Sequence, residues 1–456
     1  MRLLAFGVWT LTACFAGPQT SRASSAGDCQ WDGFGTSACV LPGRKAGDGP
    51  RIVVGAPDDR SDGDTPRGSL FEIDWKSGEV RRVRRSTEPH DGFGSSVCLI
   101  DDLNGDGVPE IAVASPRASL NEKRFCGRVS VLSGRDFSSV REVWGERAEG
   151  RFGTAIRAAS VPGSPEKSIV AVLREPTRES EVAVMAFDRN VDKHRWTATT
   201  TAAEGIWNRS LVALSDLDGD GFREFGIGAP HPSQAPEGAG HVDVLSGADG
   251  KRLFRARGAP STAWFGTSIC ALTATEPGER FALAVGSLDW AGSEPGGGRI
   301  DIVGVPSGRL RQAAIGSRIG DGFGHRLAGA GPGAGAGVPL FVAAVEGPPG
   351  TPSSGGCVMG LSTGAKEPTV RLLGLQAHGR LGDFLSSEEL PADPVVKLLL
   401  AGAPGAADTP SYWGMKSYSH LVVLFRESDA WRVRVFASDG EVTKEELGTY
   451  VRLETP

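Results

Sequence analysis

Residues 93–116 read FGSSVCLIDDLNGDGVPEIAVASP, an apolar segment, an acidic glycine-rich loop, a second apolar segment and a turn of small residues. Short apolar runs bounded by turn residues are typical of β-strands, so the stretch predicts a β-hairpin. A near copy occupies residues 207–230, with DLDGDGFRE as its loop and Gly-Ala-Pro as its end. Two such copies indicate a repeat whose period can be counted.

The repeat extends over most of the chain. Each unit opens with an aromatic residue or, once, a leucine, at Phe34, Phe93, Phe152, Trp207, Phe265, Phe323 and Leu381. Neighbouring openings are 58 or 59 residues apart, except for 55 between the third and the fourth. Seven small-residue turns follow these openings, among them residues 55–57, 228–230 and 402–404. Each unit has the length for four antiparallel strands.

Seven such units predict an all-β fold, a seven-bladed β-propeller of four-stranded antiparallel blades. A four-stranded sheet with two partly apolar faces cannot bury both alone, whereas sheets packed around an axis bury each other. The 64 glycines and 29 prolines of the chain fit a protein with many turns. We expect the propeller to span residues 27–440 and a C-terminal tail to span residues 441–456.

The N-terminus has the features of an export signal. Met1 and Arg2 precede an apolar run at residues 3–13, too short to cross a bilayer, so residues 1–26 are predicted to be a signal peptide. Residues 11–14, Leu-Thr-Ala-Cys, also resemble a bacterial lipobox, in which Cys14 would be lipidated. Ordinary cleavage after Ala16 or Ala26 is the alternative. The predicted location is therefore outside the cytoplasm, as a secreted protein or a cell-envelope lipoprotein, with the membrane contacted only through an N-terminal lipid.

Three cysteines are predicted to be small core residues. Cys39, Cys98 and Cys270 each lie five residues after the opening aromatic of their unit, so they fall on equivalent strands of different blades. That separation exceeds the roughly 7 Å between Cα atoms that a disulfide spans. The pattern does not pair the cysteines at positions 29, 126 and 357.

Charge argues against a nucleic-acid partner. The net charge is −6 and the isoelectric point about 5.8, without a basic stripe that could follow a phosphate backbone. Arg81, Arg82, Arg84 and Arg85 crowd the last strand of the first unit. On an outer edge strand they would discourage pairing with another molecule, and a basic docking patch is the alternative.

The Phe-Gly openings and Gly-Ala-Pro endings resemble the FG-GAP repeats of integrin α-subunit propellers, over about residues 30–436. In that family, some hairpin loops between the first two strands bind calcium through side chains at loop positions 1, 3, 5 and 9 and a carbonyl at position 7. The resemblance implies two calcium sites. Their ligands would be Asp102, Asn104, Asp106, the Val108 carbonyl and Glu110 in the second unit, and Asp216, Asp218, Asp220, the Phe222 carbonyl and Glu224 in the fourth.

The chemistry of the two loops agrees with that implication. Calcium prefers six to eight oxygen ligands, and Gly107 and Gly221 at position 6 permit the sharp turn that such a loop needs. Both loops have Glu at position 9, where the family more often has Asp. Every ligand position is filled from one loop, so a structural ion is expected. We expect the fourth unit to bind more tightly because it has four carboxylates against three, although Arg223 partly offsets this.

The predicted function is a non-enzymatic, calcium-stabilised extracellular binding or adhesion module for a protein or a carbohydrate. Loops on the face opposite the calcium loops are the predicted ligand surface, because binding sites often lie in loops on a rigid scaffold. The candidate residues are Asp58, Asp59, His231, Trp290, Tyr412 and Trp413. The aromatic members could instead cover loop cores. The alternative function is a polysaccharide lyase or hydrolase, but the seven histidines are scattered and form no recognisable catalytic motif.

Overall fold

The structure is a computed structural model. It describes residues 32–45, 47–62, 65–161, 163–174, 181–201, 210–230, 240–259, 262–273, 278–290, 297–316, 322–329, 340–344, 355–361, 368, 370–375, 380–390, 393–403, 419–427, 430–437, 440–443 and 451–455. The predicted signal peptide, including Cys14, and Cys29 lie outside these residues. In the described segments, no helix is long and apolar enough to cross a membrane.

Seven antiparallel sheets, the blades, follow one another along the chain. Blade one contains β1 (Ser37–Leu41), β2 (Arg51–Ala56), β3 (Ser69–Asp74) and β4 (Val80–Arg85). Blade two contains β5 (Val97–Leu99), β6 (Ile111–Ser115), β7 (Arg128–Leu132) and β8 (Ser139–Trp144). Blade three contains β9 (Ala155–Ala159), a 3-10 turn (Pro165–Lys167), β10 (Ile169–Arg174), β11 (Glu181–Asp188) and β12 (His194–Thr201).

The later blades repeat this order. Blade four contains β13 (Leu211–Ala213), β14 (Phe225–Pro230), β15 (Gly240–Leu245) and β16 (Arg252–Arg257). The short strands β17 (Thr262–Ala263) and β20 (Asp289–Trp290) pair beside blade five, which contains β18 (Ser268–Thr273), β19 (Phe281–Ser287), β21 (Arg299–Val305) and β22 (Leu310–Ile315). Blade six contains β23 (Arg326–Ala328), β24 (Leu340–Ala344), β25 (Cys357–Leu361) and β26 (Val370–Gly374). Blade seven contains β27 (Phe384–Leu390), β28 (Asp393–Ala403), β29 (His420–Glu427), β30 (Ala430–Ala437) and β31 (Gly440–Glu441).

The predicted fold is confirmed, because the seven blades form one β-propeller. The first strand of each blade contacts the first strand of both neighbouring blades, and β27 contacts β1 to complete the circle. Seven apolar clusters fill the spaces between blades, and each cluster draws residues from two neighbouring blades. Each blade therefore buries its two faces against its neighbours, as the repeat predicts.

The glycines of the repeat allow the blades to approach closely. The glycine of the small-residue turn lies against the carbonyl oxygen of the Phe-Gly glycine of the next blade. A Cβ on this glycine would lie about 2 Å from that oxygen at four boundaries: Gly55 with Gly94 at 2.0 Å, Gly228 with Gly266 at 1.9 Å, Gly286 with Gly324 at 2.1 Å and Gly402 with Gly35 at 1.9 Å. The two halves of the sequence motif thus meet across a blade boundary, and the last pair joins blade seven to blade one.

The ring closes by packing of blade seven against blade one. Phe34 of blade one shares an apolar cluster with Leu400 of blade seven. Farther out, the Trp75 and Phe425 rings meet edge to face with centroids 5.2 Å apart. Arg434 lies over the Trp75 ring at 4.6 Å, a cation–π contact.

Part of the C-terminal tail belongs to the propeller. The strand β32 (Val451–Glu454) pairs antiparallel with β26 as a fifth strand of blade six. Val451 is buried in the apolar cluster between blades six and seven. This strand covers the outer edge of blade six, which would otherwise have unpaired backbone groups.

Two expectations about side chains agree with the structure. Cys39 lies in the apolar cluster between blades one and two, Cys270 lies between blades five and six, and Cys98 packs between blades two and three. The arginines of β4, the outer strand of blade one, bind side chains of the same protein. Arg81 binds Glu72, Arg82 binds Asp59 and Asp62, Arg85 binds Asp62, and Arg84 donates to Ser139 Oγ.

Candidate metal centre

The two acidic loops occupy equivalent places in blades two and four. One joins β5 to β6 and the other joins β13 to β14, so both lie on the same rim of the propeller. The turn between the third and fourth strands shares this rim, because Arg135 in the β7–β8 turn contacts Asp106 in the β5–β6 loop. We call it the metal-loop rim. The opposite rim contains the Phe-Gly turns and the loops between second and third strands, and we call it the FG rim.

The backbones of both loops fold around their first aspartate. Asp102 accepts hydrogen bonds from the Gly105 and Gly107 amides at 2.7 and 2.8 Å. Asp216 accepts the same bonds from Gly219 and Gly221 at 2.7 and 2.9 Å. Gly107 and Gly221 have φ values of +83° and +87°, which glycine adopts without steric cost. The sequence spacing therefore produces the same tight loop twice.

In blade four the carboxylates converge. Asp216, Asp218, Asp220 and Glu224 each place an oxygen within 4.8 Å of the others. In the described part of the chain, no other group of three or more His, Cys, Asp or Glu side chains converges as closely. Three members are exposed, whereas Glu224 is buried at the base of the loop with 0% exposure.

Glu224 has one carboxylate oxygen without a protein partner. Its Oε2 accepts a hydrogen bond from the Leu217 amide at 2.6 Å, but Oε1 is buried and has no hydrogen-bond partner among the described residues. Burial raises the pKa of Glu224 to about 8. The nearby carboxylates of Asp218, Asp216 and Asp220 add to this rise, whereas the hydrogen bond from the Leu217 amide opposes it. A buried acceptor left unmatched is costly. An oxygen-rich, negatively charged loop with such an acceptor fits a hard divalent cation such as calcium.

The blade-two loop has its carboxylates engaged by protein groups. Glu110 Oε1 accepts from Asn104 Nδ2 at 2.9 Å, and Oε2 accepts from the Leu103 amide at 2.5 Å. Arg135 Nε donates to Asp106 Oδ2 at 3.0 Å, and Arg135 Nη2 donates to the Asp106 carbonyl at 2.6 Å. The Arg135 hydrogen bond lowers the pKa of Asp106, whereas burial raises the pKa of Glu110.

The seventh loop positions are Val108 and Phe222, whose carbonyls the resemblance implies as ligands. Their amides donate to Asp106 Oδ1 at 2.9 Å and Asp220 Oδ1 at 2.7 Å. The Arg223 guanidinium donates to the carbonyls of Leu214 and Ser160, at 2.8 and 3.4 Å. These hydrogen bonds of Arg223 thus go to backbone carbonyls and not to the blade-four carboxylates.

Two of the six predicted ligand-surface residues have described side chains. Asp58 binds Arg117 at 2.6 Å and links the FG-rim loops of blades one and two. Asp59 is buried, with 1% exposure, and accepts hydrogen bonds from Ser69 Oγ and the Ser61 amide. Asp58 is therefore accessible at this rim, whereas Asp59 braces its loop.

The other predicted ligand-surface residues have no described side chain. Trp290 belongs to the short strand β20 and pairs with Thr262. His231, Tyr412 and Trp413 lie outside the described residues.

Sequence reasoning missed a His–Asp pair on the FG rim. His325 Nε2 lies 3.3 Å from Asp383 Oδ1, and Arg380 Nε lies 2.9 Å from Asp383 Oδ2. Burial opposes ionisation of Asp383, but His325, Arg380 and Arg326 together lower its pKa. A sequence signal for this pair exists: His325 and Asp383 are the residues that directly follow the Phe-Gly and Leu-Gly dipeptides of their units.

Blades one, two, three and five have a hydroxyl residue at that position. Thr36, Ser95, Thr154 and Thr267 each donate a hydrogen bond to a carbonyl of their own Phe-Gly turn. His325 and Asp383 instead bond to each other, so they connect the turns of blades six and seven. The pair thus has a bracing role in this fold.

The structure is thus a seven-bladed β-propeller of repeated units, and one of these units has a loop with four converging carboxylates. Residues 93–132 match the FG-GAP repeat family. The chain is 27% identical over 173 residues to integrin alpha-PS3 of Drosophila melanogaster, covering 36% of this chain and 15% of that protein. It is 25% identical over 247 residues to integrin alpha-5 of Xenopus laevis, covering 50% of this chain and 22% of that protein. The expected resemblance to integrin α-subunits is confirmed.

A third integrin α-subunit and one solved structure were also found to be similar to the chain. Integrin alpha-PS2 of Drosophila melanogaster is 23% identical over 159 residues, covering 32% of this chain and 11% of that protein. The matched part of the chain thus spans at most 22% of the length of these three relatives. Among solved structures, Sqt1 of Saccharomyces cerevisiae aligns with a TM-score of 0.40 at 10% identity, covering 64% of this chain and 66% of that one.

Proposed function

We propose that the chain is a non-enzymatic binding or adhesion module that acts outside the cytoplasm, is stabilised by calcium and recognises a protein ligand. The unmatched Oε1 of Glu224 at the base of four converging carboxylates is the observation that supports the calcium part. The likeness to integrin α-subunits supports the binding part and the location.

The ion would be held by Asp216, Asp218, Asp220, Glu224 and the Phe222 carbonyl. Bound calcium supplies positive charge that offsets the mutual repulsion of the carboxylates. The chain supplies the rest, because the Gly219 and Gly221 amides orient Asp216 and the Leu217 amide orients Glu224. The ion would tie β13 to β14 and stiffen the inner hairpin of blade four.

The ligand would bind at the FG rim, opposite the metal loops. The loops of that rim stand on a closed ring, so they can hold a fixed arrangement of side chains. Asp58 and Arg117 form a partly exposed charged pair there, with exposed fractions of 28% and 40%. Mixed charge at an exposed rim suits a polar protein surface.

The calcium part predicts a metal-dependent melting temperature. At a calcium concentration about a hundredfold above the dissociation constant, binding stabilises the folded state by about 2.7 kcal/mol. For a domain of this length we expect a rise of about 3 °C over the chelated protein. Differential scanning fluorimetry with calcium added to chelator-treated protein measures it.

Asp220→Ala should abolish the calcium-dependent rise. Asp249→Ala is the matched control, because Asp249 is an exposed carboxylate on the same rim of blade four that pairs with Lys251. Equal rises in wild type, Asp220→Ala and Asp249→Ala would contradict a site in this loop.

The ligand part is tested by affinity capture. Immobilised full-length chain should retain a discrete protein from cell-envelope extract, with less retained when Asp58 and Arg117 are both replaced by alanine. A replacement of Arg84 by alanine serves as the control, because Arg84 is an exposed arginine of an outer strand. Binding to a glycan array without retention of any protein would indicate a carbohydrate ligand instead.

The lyase or hydrolase alternative stays a hypothesis, and release of products from polysaccharides would support it.

A further inference from the structure

We propose that Arg135 is a built-in counter-ion that takes the place of a divalent cation at the blade-two loop, so that, of the two acidic loops, the blade-four loop alone is a tight cation site. The inference rests on the proposed function in one respect, the binding of a divalent cation by the blade-four loop. The sequence predicts two calcium sites, with the tighter one in blade four, and attributes the difference to the loop carboxylates alone.

Arg135 stands at a position where blade four has a small residue. The turns between the third and fourth strands read Ser-Gly-Arg-Asp at residues 133–136 and Ser-Gly-Ala-Asp at residues 246–249. Arg135 is thus the counterpart of Ala248. Because each turn lies beside the acidic loop of its own blade, an arginine here reaches that loop and an alanine cannot.

Arg135 is held in place by blade one. Arg44 Nε donates to the Arg135 carbonyl at 2.8 Å, and Arg51 Nη2 donates to the Gly134 carbonyl at 2.9 Å. Both arginines are fixed in turn by Glu72, at 2.7 and 2.9 Å. The Arg135 main chain is therefore anchored, which lowers the entropic cost of keeping its guanidinium on Asp106.

The Arg135 guanidinium is hydrogen-bonded to Asp106 Oδ2, an oxygen that a bound cation would need as a ligand. Asp106 Oδ1 accepts from the Val108 amide, and Oδ2 accepts from Arg135. Asn104 satisfies Glu110 Oε1, the counterpart of the unmatched oxygen of Glu224. A divalent cation entering this loop would have to displace Arg135 and turn Asn104, whereas the blade-four loop requires neither change.

The charges of the two loops point the same way. The blade-two loop combines three carboxylates with one guanidinium, whereas the blade-four loop has four carboxylates. In blade four the nearby cations contact backbone carbonyls instead of carboxylates: Lys167 Nζ donates to the Asp220 carbonyl at 2.8 Å, and the Arg280 guanidinium donates to the Leu217 carbonyl. Carboxylate count tunes the affinity of calcium loops, so the difference favours blade four.

The test is a calcium titration of the chelator-treated full-length chain by isothermal calorimetry. We expect one tight site in the wild type, lost in Asp220→Ala and kept in Asp106→Ala. Arg135→Ala should tighten the second site about tenfold, since it removes one positive charge within a few ångströms of the ion. The double variant Arg135→Ala with Asn104→Asp should tighten it further, because it restores the blade-four charge.

The reciprocal exchange Ala248→Arg should weaken the blade-four site about tenfold. Arg84→Ala is the matched control, since it removes an exposed arginine of β4 whose guanidinium binds Ser139 rather than the loop. Circular dichroism of each variant confirms that the propeller is folded, and the Arg135→Ala result stands alone should Ala248→Arg fail to fold.

The outcomes separate the two proposals. Two equal sites in the wild type, unchanged in Arg135→Ala, would overturn the counter-ion role and leave the calcium site of blade four in place. Tightening by Arg84→Ala equal to that by Arg135→Ala would also overturn it, because the effect would then be one of overall charge. No calcium binding in any variant would overturn both proposals.

Discussion

Asp243 shows how a buried carboxylate in this propeller is matched by partners, one of them in the neighbouring blade. Asp243 on β15 accepts two hydrogen bonds from Arg255, both at 2.6 Å, and one from Thr200 of blade three at 3.2 Å. His241 Nε2 lies 3.5 Å away. Burial alone would raise the pKa of Asp243, but the Arg255 hydrogen bonds and His241 lower it to about 2. Glu224 has the opposite shift, and its unmatched Oε1 makes it a candidate metal ligand rather than a bracing group.

Asp243→Asn should destabilise the folded protein by about 2 kcal/mol at pH 7, because Arg255 loses its buried counter-charge. A carboxylate whose folded pKa is about 2 and whose ordinary value is 3.8 stabilises the fold above pH 3.8, and this contribution is lost as the pH falls toward 2. The difference between wild type and variant should therefore shrink below about pH 4. Urea unfolding at several pH values measures it.

The exposed Asp249→Asn, four residues beyond the end of the same strand, is the control and should change stability little. A wild-type advantage over Asp243→Asn that stayed constant from pH 7 to pH 3 would contradict the ionised, depressed-pKa state of Asp243.

At the level of elements, the two halves of the repeat motif contact each other across a blade boundary. The small-residue turn of one blade packs against the Phe-Gly turn of the next. The sequence predicts both halves, and their spacing gives the number of blades. It does not show that Gly55 meets Gly94 of the following blade, because that contact depends on how adjacent sheets are stacked. The same holds for Arg135 and Asp106, which are 29 residues apart and meet only when the blade is folded.

Gly55→Ala should destabilise the propeller by roughly 3 kcal/mol, because the new Cβ would lie 2.0 Å from the Gly94 carbonyl oxygen and the two blades would have to separate. Gly163→Ala is the comparison. Gly163 has a φ of +77° and open space around its Cβ position, so alanine there costs only about 1 kcal/mol of backbone strain. Chemical denaturation followed by fluorescence measures both, and equal losses would contradict the close contact between blades.

At the level of the whole molecule, seven blades close into a ring because each blade packs against the next through an apolar cluster. The regular spacing of Phe34, Phe93 and their counterparts predicts this architecture and the shared rim of the two acidic loops. It could not predict that β32 pairs with blade six or that Arg434 caps Trp75 at the closing boundary, because neither contact follows the repeat. The carboxylate counts of the two acidic loops predict that blade four binds a cation more tightly, but Arg135, to which we attribute most of the difference, lies outside both loops.

The most direct test of this account is a crystal structure grown with calcium, with anomalous scattering measured at a wavelength where calcium contributes. We predict a closed ring of seven blades with a strong anomalous peak among Asp216, Asp218, Asp220 and Glu224, and a weak or missing peak at Asp106, with Arg135 still bound there. An open or differently numbered array of blades, or a map with no peak in the blade-four loop, would contradict it.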